Sequence, residues 1–351
     1  MFKRAFIAFA LLVTIGLVTI AALFYYYNSL LEPVESTASE NYYIVEIPSG
    51  ANAEIIAAIL YDKSLIRNER AFRLFVRQYN LGRGFIAGKY NLSPAMSTQQ
   101  IIAKIHSGDI YTETSWFTIP EGYTVVEIAA RLEENGLVDS EHFLNLVRKP
   151  SESILETFPF LIEVTDTRIE YVLEGYLFPD TYEVYTDAGA EEIIKVMLHR
   201  LNQILDEDKK NRLTELDLSI HEMLTIASIV EREGRVNHER NLIAGVFYNR
   251  LQIGQRLESC ATIQYILGET KEYLTFQDLE IPSPYNTYQN TGLPPGPIAA
   301  PGEASIMAVL YPETTTYFYF NYKYDGSGEH YFSKTLEEHN QNVRRAEANI
   351  Q

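Results

Sequence analysis

"VEIPSGANAEIIAAILYDKSLI", residues 45–66, returns 72 positions later as "FTIPEGYTVVEIAARLEENGLV", residues 117–138. Ile47, Pro48 and Gly50 of the first copy correspond to Ile119, Pro120 and Gly122 of the second. In both, a short β-type run enters a Pro-Gly turn, and apolar residues such as Ile55, Ile56, Ile59 and Leu60 then recur at helical spacing. The likeness continues downstream. "KYNLSPAMSTQQIIAKI" (89–105) aligns with "TYEVYTDAGAEEIIKVM" (181–197), with Tyr90 opposite Tyr182 at an offset of 92. The change of offset gives the second copy about 20 additional residues, in a region containing "LEGYLFPDTY". Each copy is predicted to run strand, helix, helix, strand, helix, and the fold class expected is α+β.

That element order resembles LysM, a small module that binds amino-sugar polymers. The resemblance implies a first LysM-like α+β module over residues 42–112 and a second, carrying the insertion, over 113–212. The alternative is a duplicated α+β spacer without a ligand. Residues 213–351 are expected to form a further α+β region.

Ahead of the repeats, residues 5 to 27 are apolar and uncharged, enough for the ~20 residues of a bilayer-spanning helix. Lys3 and Arg4 precede this stretch, whereas Glu32, Glu35 and Glu40 follow it. The positive-inside rule then predicts a cytoplasmic N-terminus with the bulk of the chain extracytoplasmic, and Tyr25, Tyr26 and Tyr27 at the outer interface. The rival reading is a cleaved signal peptide. Its apolar core would be shorter, about 7–15 residues, and would end in a small-residue cleavage site, for which "TIA" is a weak candidate. Residues 1–28 are therefore read as a cytoplasmic tip and single transmembrane anchor, and 29–41 as an acidic linker.

Of 351 residues, 46% are hydrophobic and 22% charged, the balance of a protein that can bury a core. The net charge of −18 argues against a nucleic-acid partner, which requires a basic face. A single cysteine, Cys260, excludes an intramolecular disulfide.

Past residue 213, "SIHE" reads as a capping box in which Ser219 starts a helix and Glu222 answers it three residues on. The helix ends in "LTIASIVEREGR" (224–235), with Gly234 as its terminator. A second helix is expected over 238–251. "YNTYQNTGLPPGPIAAPGEAS" (285–305) cannot be regular structure, and loops of that length tend to be functional. "TTTYFYFNY" (314–322) reads as a strand, and "HYFSKTLEEHN" (330–340) as a helix.

On a helical wheel the apolar arc holds Ile220, Met223, Leu224, Ile226, Ala227, Ile229 and Val230. Glu233 falls beside Ile226 on one rim, and Glu231 beside Leu224 on the other. At about 160° apart they cannot form a close pair from a regular helix. A carboxyl against apolar side chains stays protonated more readily, as a general acid for glycosidic cleavage requires. The competing reading makes both solvated charges at a helix end. "HEMLT" at His221 lacks the second histidine of a zinc-protease motif, and His330 and His339 have no companions at ligand spacing, so no metal is expected. Neither a Gly-x-Ser-x-Gly elbow nor a glycine-rich phosphate loop is present.

"LEGYLFPDTYEV", "ASIVEREG", "NRLQIGQRLESCATIQY" and "SPYNTYQNTGLPPGPIAAPGEASIMAVLYP" resemble the endolytic murein transglycosylase family, the MltG or YceG-like proteins, over essentially all of the chain after the linker. The resemblance implies internal cleavage of peptidoglycan strands between N-acetylmuramic acid and N-acetylglucosamine, with a 1,6-anhydro end, by residues within 213–351. It makes Glu233 the catalyst and Glu231 structural. It also implies a place in the bacterial cytoplasmic membrane, a part in ending strand elongation, contact with cell-wall synthases, and no cofactor. Thr262, Gln264, Tyr265, Tyr285, Asn286, Thr287 and Tyr288 are candidates to bind the sugars, with pinning of the long loop as the alternative. Glu174 is a possible secondary carboxylate. Two other functions remain open: a non-catalytic glycan-binding scaffold, and a hydrolytic muramidase that needs a second carboxylate.

Overall fold

The computed structural model describes residues 2–35, 41–271 and 273–350. Residues 36–40 of the predicted linker, and the side chains of Lys3 and Arg4, lie outside that description. The chain divides into two compact units, residues 1–113 and 114–351.

The first unit opens with helix α1 (Phe2–Ser29). Its 21-residue apolar stretch Phe9–Ser29 is unburied by protein and, at ~1.5 Å per residue, long enough to cross a bilayer. Strand β1 (Tyr43–Ile47), helices α2 (Ala53–Asp62) and α3 (Glu69–Gln78), strand β2 (Gly88–Leu92) and helix α4 (Thr98–Ser107) follow. Every second residue of the strands faces inward, so Val45, Ile47, Tyr90 and Leu92 join Ile56, Leu60, Phe72 and Ile101 in the core.

In the second unit the order repeats with strand β3 (Thr114–Thr118) and helices α5 (Val125–Glu134) and α6 (Ser140–Arg148). The inserted residues supply helix α7 (Glu152–Thr157) and a series of turns before strand β4 (Thr181–Tyr185) and helix α8 (Ala190–Ile204). Both strand pairs are antiparallel, and their registers correspond: Val45 faces Tyr90 as Phe117 faces Tyr182. The two tyrosines donate to the carbonyl four residues back, Ile86 and Phe178, at 2.7 and 2.5 Å. The turn glycines Gly50 and Gly122 both take left-handed φ, +74° and +78°, which a side chain would oppose. Asn52 and Thr124, again 72 apart, cap the helices that follow.

Helices α9 (Glu207–Glu215), α10 (Ile220–Glu233), α11 (Arg240–Gln252), α12 (Cys260–Leu267), α13 (Phe276–Leu279) and α14 (Glu303–Leu310) come next. One core runs from Phe117 on β3 through the α8 and α10 side chains to Leu310. The strand expected over 314–322 is confined to β5 (Tyr319–Tyr322). The helix expected from His330 starts later: residues His330–Ser333 form strand β6 against β5, and α15 (Leu336–Glu347) begins only where Thr335 and Glu338 close a capping box. His330 and Ser333 are buried while Tyr331 and Phe332 are less so, and pairing with β5 overrode the helical reading of this short segment.

The segment 280–302 carries no helix or strand, yet residues 294–302 are buried. It packs closely on the insertion. A Cβ at Gly175, where φ is +78°, would lie 2.3 Å from Pro297 Cβ. Gly175→Ala is therefore expected to cost about 3 kcal/mol from backbone strain and overpacking combined. A thermal scan should register a fall of roughly 6–12 °C, and a change under one degree would disprove the contact.

Candidate active site

Helix α10 is buried all round from Met223 to Val230, so its polar residues must bond internally. Thr225 donates to the His221 carbonyl at 2.7 Å. Ser228 donates to the Thr225 carbonyl at 2.8 Å and accepts from Ile298 N–H at 3.0 Å, which ties the long loop to the helix. At the other end of α10 the two carboxylates part. Glu231 faces Arg240 at 3.1 Å, and its second oxygen accepts from Gly302 N–H at 3.0 Å and the Ser305 hydroxyl at 2.8 Å. The Arg240 guanidinium also donates to Ser305 Oγ, at 2.7 Å. Gly234 ends the helix in an extended conformation, and a Cβ there would meet the Arg240 side chain at 3.1 Å.

Glu233 turns to the start of α12. Its Oε1 accepts from the Ser259 hydroxyl at 2.5 Å and from Ala261 N–H at 3.3 Å. Ala261 lies in the first turn of α12, where backbone N–H groups have no partner within the helix. Among the described residues, no hydrogen bond reaches Glu233 Oε2. The wheel drawn on α10 alone set Glu233 beside Ile226; its bonding partners belong to a later segment that a wheel does not include.

Ser259 is itself held. Its N–H donates to Thr287 Oγ1 at 3.0 Å, and the Thr287 and Thr262 hydroxyls meet at 2.9 Å. Cys260 Sγ is 3.1 Å from the Tyr288 hydroxyl. The Cys260 thiol is pushed up to about 11, first by its desolvation among these groups and then by Glu233. Burial likewise raises Tyr288.

On the other side of α12 is a cavity of about 400 Å³, lined by Glu174, Gln264, Tyr265, Tyr285, Arg168 and Arg232 among others. Ala261 lines it too and so belongs to both places. The rings of Tyr265 and Tyr285 stand 5.1 Å apart. Glu174 is only 2% exposed; it accepts from Val125 N–H at 3.1 Å and is hydrogen-bonded to Tyr265. Burial pushes its carboxyl up to about 8.

The chain as a whole has relatives. The description of the YceG-like family matches residues 45–345. The chain belongs to the YceG-like family. It is 39% identical to the endolytic murein transglycosylase of Bacillus subtilis, across 92% of this chain and 89% of that one. It is 33% identical to the endolytic murein transglycosylase of Streptococcus pneumoniae D39, and spans 60% of that longer protein. A crystal structure of a YceG-like protein from Listeria monocytogenes matches with a TM-score of 0.61 and 41% identity, over 86% of this chain and 99% of the other.

In this YceG-like chain the expected site residues fall into two groups around α12. Glu233, Thr262, Thr287 and Tyr288 gather at its N-terminal end, whereas Gln264, Tyr265, Tyr285 and Glu174 line the cavity. Asn286 is completely buried: its amide donates to the Leu279 and Ile281 carbonyls, and its oxygen accepts from Tyr288 N–H. Thr262 and Thr287 are buried as well. Sequence reasoning missed Ser259, Ala261, Arg168 and Arg232. The signal for Ser259 was its place just ahead of "CATIQY", a helix-starting position whose hydroxyl is spent on Glu233 instead of on its own helix.

Proposed function

We propose that this protein is an endolytic peptidoglycan lytic transglycosylase in which Glu233 is the catalytic acid and base. The observation that carries the reading is the asymmetry of its carboxyl: Oε1 is fixed by Ser259 and Ala261, and Oε2 remains for the substrate. A proton held at Oε2 passes to the glycosidic oxygen as the C1–O bond breaks and oxocarbenium character develops at C1 of the muramic sugar. The 6-hydroxyl of that sugar bonds to C1, and its proton returns to Glu233. No water is consumed, and the strand leaves with a 1,6-anhydro end.

Ser259 and Ala261 orient the acid, and Thr262, Thr287 and Asn286 hold Ser259 and the loop in place. The last three are buried and internally bonded, so a scaffolding role fits them better than contact with sugar. Tyr288 closes the Glu233 side. A hydrolytic muramidase needs a second, ionised carboxylate. Glu174, pushed up to about 8, is largely neutral near pH 7 and a poor nucleophile or base. We read the two repeat copies as LysM-like modules that hold the strand, and α1 as a single-pass anchor with its N-terminus in the cytoplasm, which would keep the enzyme near nascent strands and their synthases.

The test is product mass. The full chain in detergent micelles, given uncrosslinked glycan strands, should yield internal fragments with anhydro ends. Reducing ends, heavier by one water, would make it a hydrolase, and intact strands would favour the scaffold.

A further inference from the structure

The chain leaves α1 without slack. The apolar stretch ends at Ser29. Two residues later Leu31 is buried, and its carbonyl accepts from Thr98 N–H at 3.0 Å. The Pro33 carbonyl accepts from both Nε and Nη2 of Arg67, at 2.9 and 2.6 Å, and Glu35 N–H donates to the Pro94 carbonyl at 3.0 Å. On α1 itself the Tyr27 hydroxyl is buried by protein, within electrostatic reach of Tyr79. Arg67 stands just ahead of α3, and Tyr79 just past its end. Helix α3, about 15 Å long, is therefore held at both ends against the last turn of the anchor and the residues that follow it.

That helix has two faces. Ala71, Phe72 and Val76 are buried. Arg70, Leu74 and Arg77, at i, i+4 and i+7, form an exposed stripe, and Tyr79 and Arg83 are exposed beyond it. Positive charge concentrates here: residues 62–83 contain Lys63 and five arginines against Asp62 and Glu69, in a chain of net charge −18. Arg73 is paired with Glu54 at 3.2 Å. The guanidinium groups of Arg70, Arg77 and Arg83 make no hydrogen bond or ion pair among the described residues. Such arginines offer forked donors that match phosphate oxygens, and an exposed tyrosine beside a membrane span settles at headgroup level.

We propose that α3 and the turn after it dock on the outer headgroup layer of the bilayer, with Arg70, Arg77 and Arg83 on the phosphates of anionic phospholipids and Tyr79 at the interface. The inference rests on the reading of α1 as a spanning anchor and adds a second, lateral contact with the same membrane. With α1 across the bilayer, Tyr27 lies at the outer edge of the hydrocarbon. A module that covers the Tyr27 hydroxyl has no room to stand clear of the lipid. The sign of the charge selects the lipid, because a basic cluster next to a span attracts anionic headgroups. The height and tilt of the first module are then fixed, and its other faces are left for a strand at a constant distance from the membrane.

The full chain would be reconstituted in vesicles of phosphatidylcholine and phosphatidylglycerol, with one lipid or the other brominated near the headgroup end of its acyl chains. Trp116, the single tryptophan, is removed as Trp116→Phe, and Tyr79→Trp supplies the probe. The indole at position 79 should be quenched. Brominated phosphatidylglycerol should quench it more than brominated phosphatidylcholine in the same mixture, as about 5-fold enrichment of anionic lipid beside it requires. Arg70→Gln, Arg77→Gln and Arg83→Gln together should abolish that preference, and lysine at the same three positions should keep it. These side chains are exposed, so the changes leave the core of the module intact. An indole quenched by neither lipid would overturn the proposal, as would a preference that survives the triple glutamine variant. Quenching displaced by added uncrosslinked strands would give this face to the glycan and equally overturn it. Extraction in alkaline carbonate checks the anchor separately: release of the chain would sink α1 as a span, and retention without quenching would sink the docking alone. The quenching decides the docking in either case.

Discussion

Glu233→Gln is expected to lower kcat for anhydro-end formation by about 10³-fold, within the range general acid–base catalysis supplies. The size follows from the absence, among the described residues, of a substitute proton carrier. Glu231 is committed to Arg240, Gly302 and Ser305, and the Cys260 thiol, raised to about 11, is a weak acid in the wrong range. Glutamine preserves the carbonyl oxygen that accepts from Ser259 and Ala261, so the N-terminal end of α12 should keep its cap. The thermal midpoint should therefore stay within a few degrees of wild type, and strand affinity should be retained. Mass spectrometry of the digested strands checks the rate, and a thermal scan checks the fold. Full lytic activity in Glu233→Gln would remove Glu233 from the chemistry. Inactivity accompanied by loss of the folded state would reassign it to structure.

How far the sequence could be read depended on whether a contact was local or periodic. Offsets of 72 and 92 foretold the two βααβα copies, because strand alternation, a positive-φ glycine and a helix cap are each set by a few neighbouring residues. The same holds for the Ser219–Glu222 capping box. Where His330–Ser333 reads as helix, the deciding fact is a partner strand eleven residues earlier, and such pairing leaves little local trace. The site divides along the same line. Periodicity placed Glu231 and Glu233 on different sides of α10, yet their roles come from Arg240, Ser305, Ser259 and Ala261, all supplied by later segments. That the buried Asn286 and Thr287 would be bonded inward, and Tyr285 turned toward a cavity, was likewise invisible in "SPYNTY", since neighbouring residues on an irregular loop have no fixed period.

The second large effect is expected at Glu231, and it should be of a different kind. Glu231 and Arg240 have side chains only 6% and 8% exposed. Glu231→Ala would leave the Arg240 guanidinium buried beside Ser305 without its counter-charge, and would strip Gly302 N–H of its acceptor. Removing one partner of such a pair costs about 3–5 kcal/mol, chiefly because the surviving charge stays desolvated. For a unit of this size the thermal midpoint should fall by roughly 6–20 °C. The loop should feel it first, since Gly302 is one of its hydrogen-bonded attachments to α10, alongside Ile298 and Pro295. Replacing both residues together, Glu231→Met with Arg240→Met, removes the uncompensated charge and should restore much of the loss, because apolar side chains of similar reach often match a buried ion pair in stability. Molecules that remain folded should still cut strands with anhydro ends, since Glu231 lies on the side of α10 away from Ser259 and Ala261. If Glu231→Ala kept its thermal midpoint and lost lysis, the division of labour between the two glutamates would be the reverse of the one their hydrogen bonds describe.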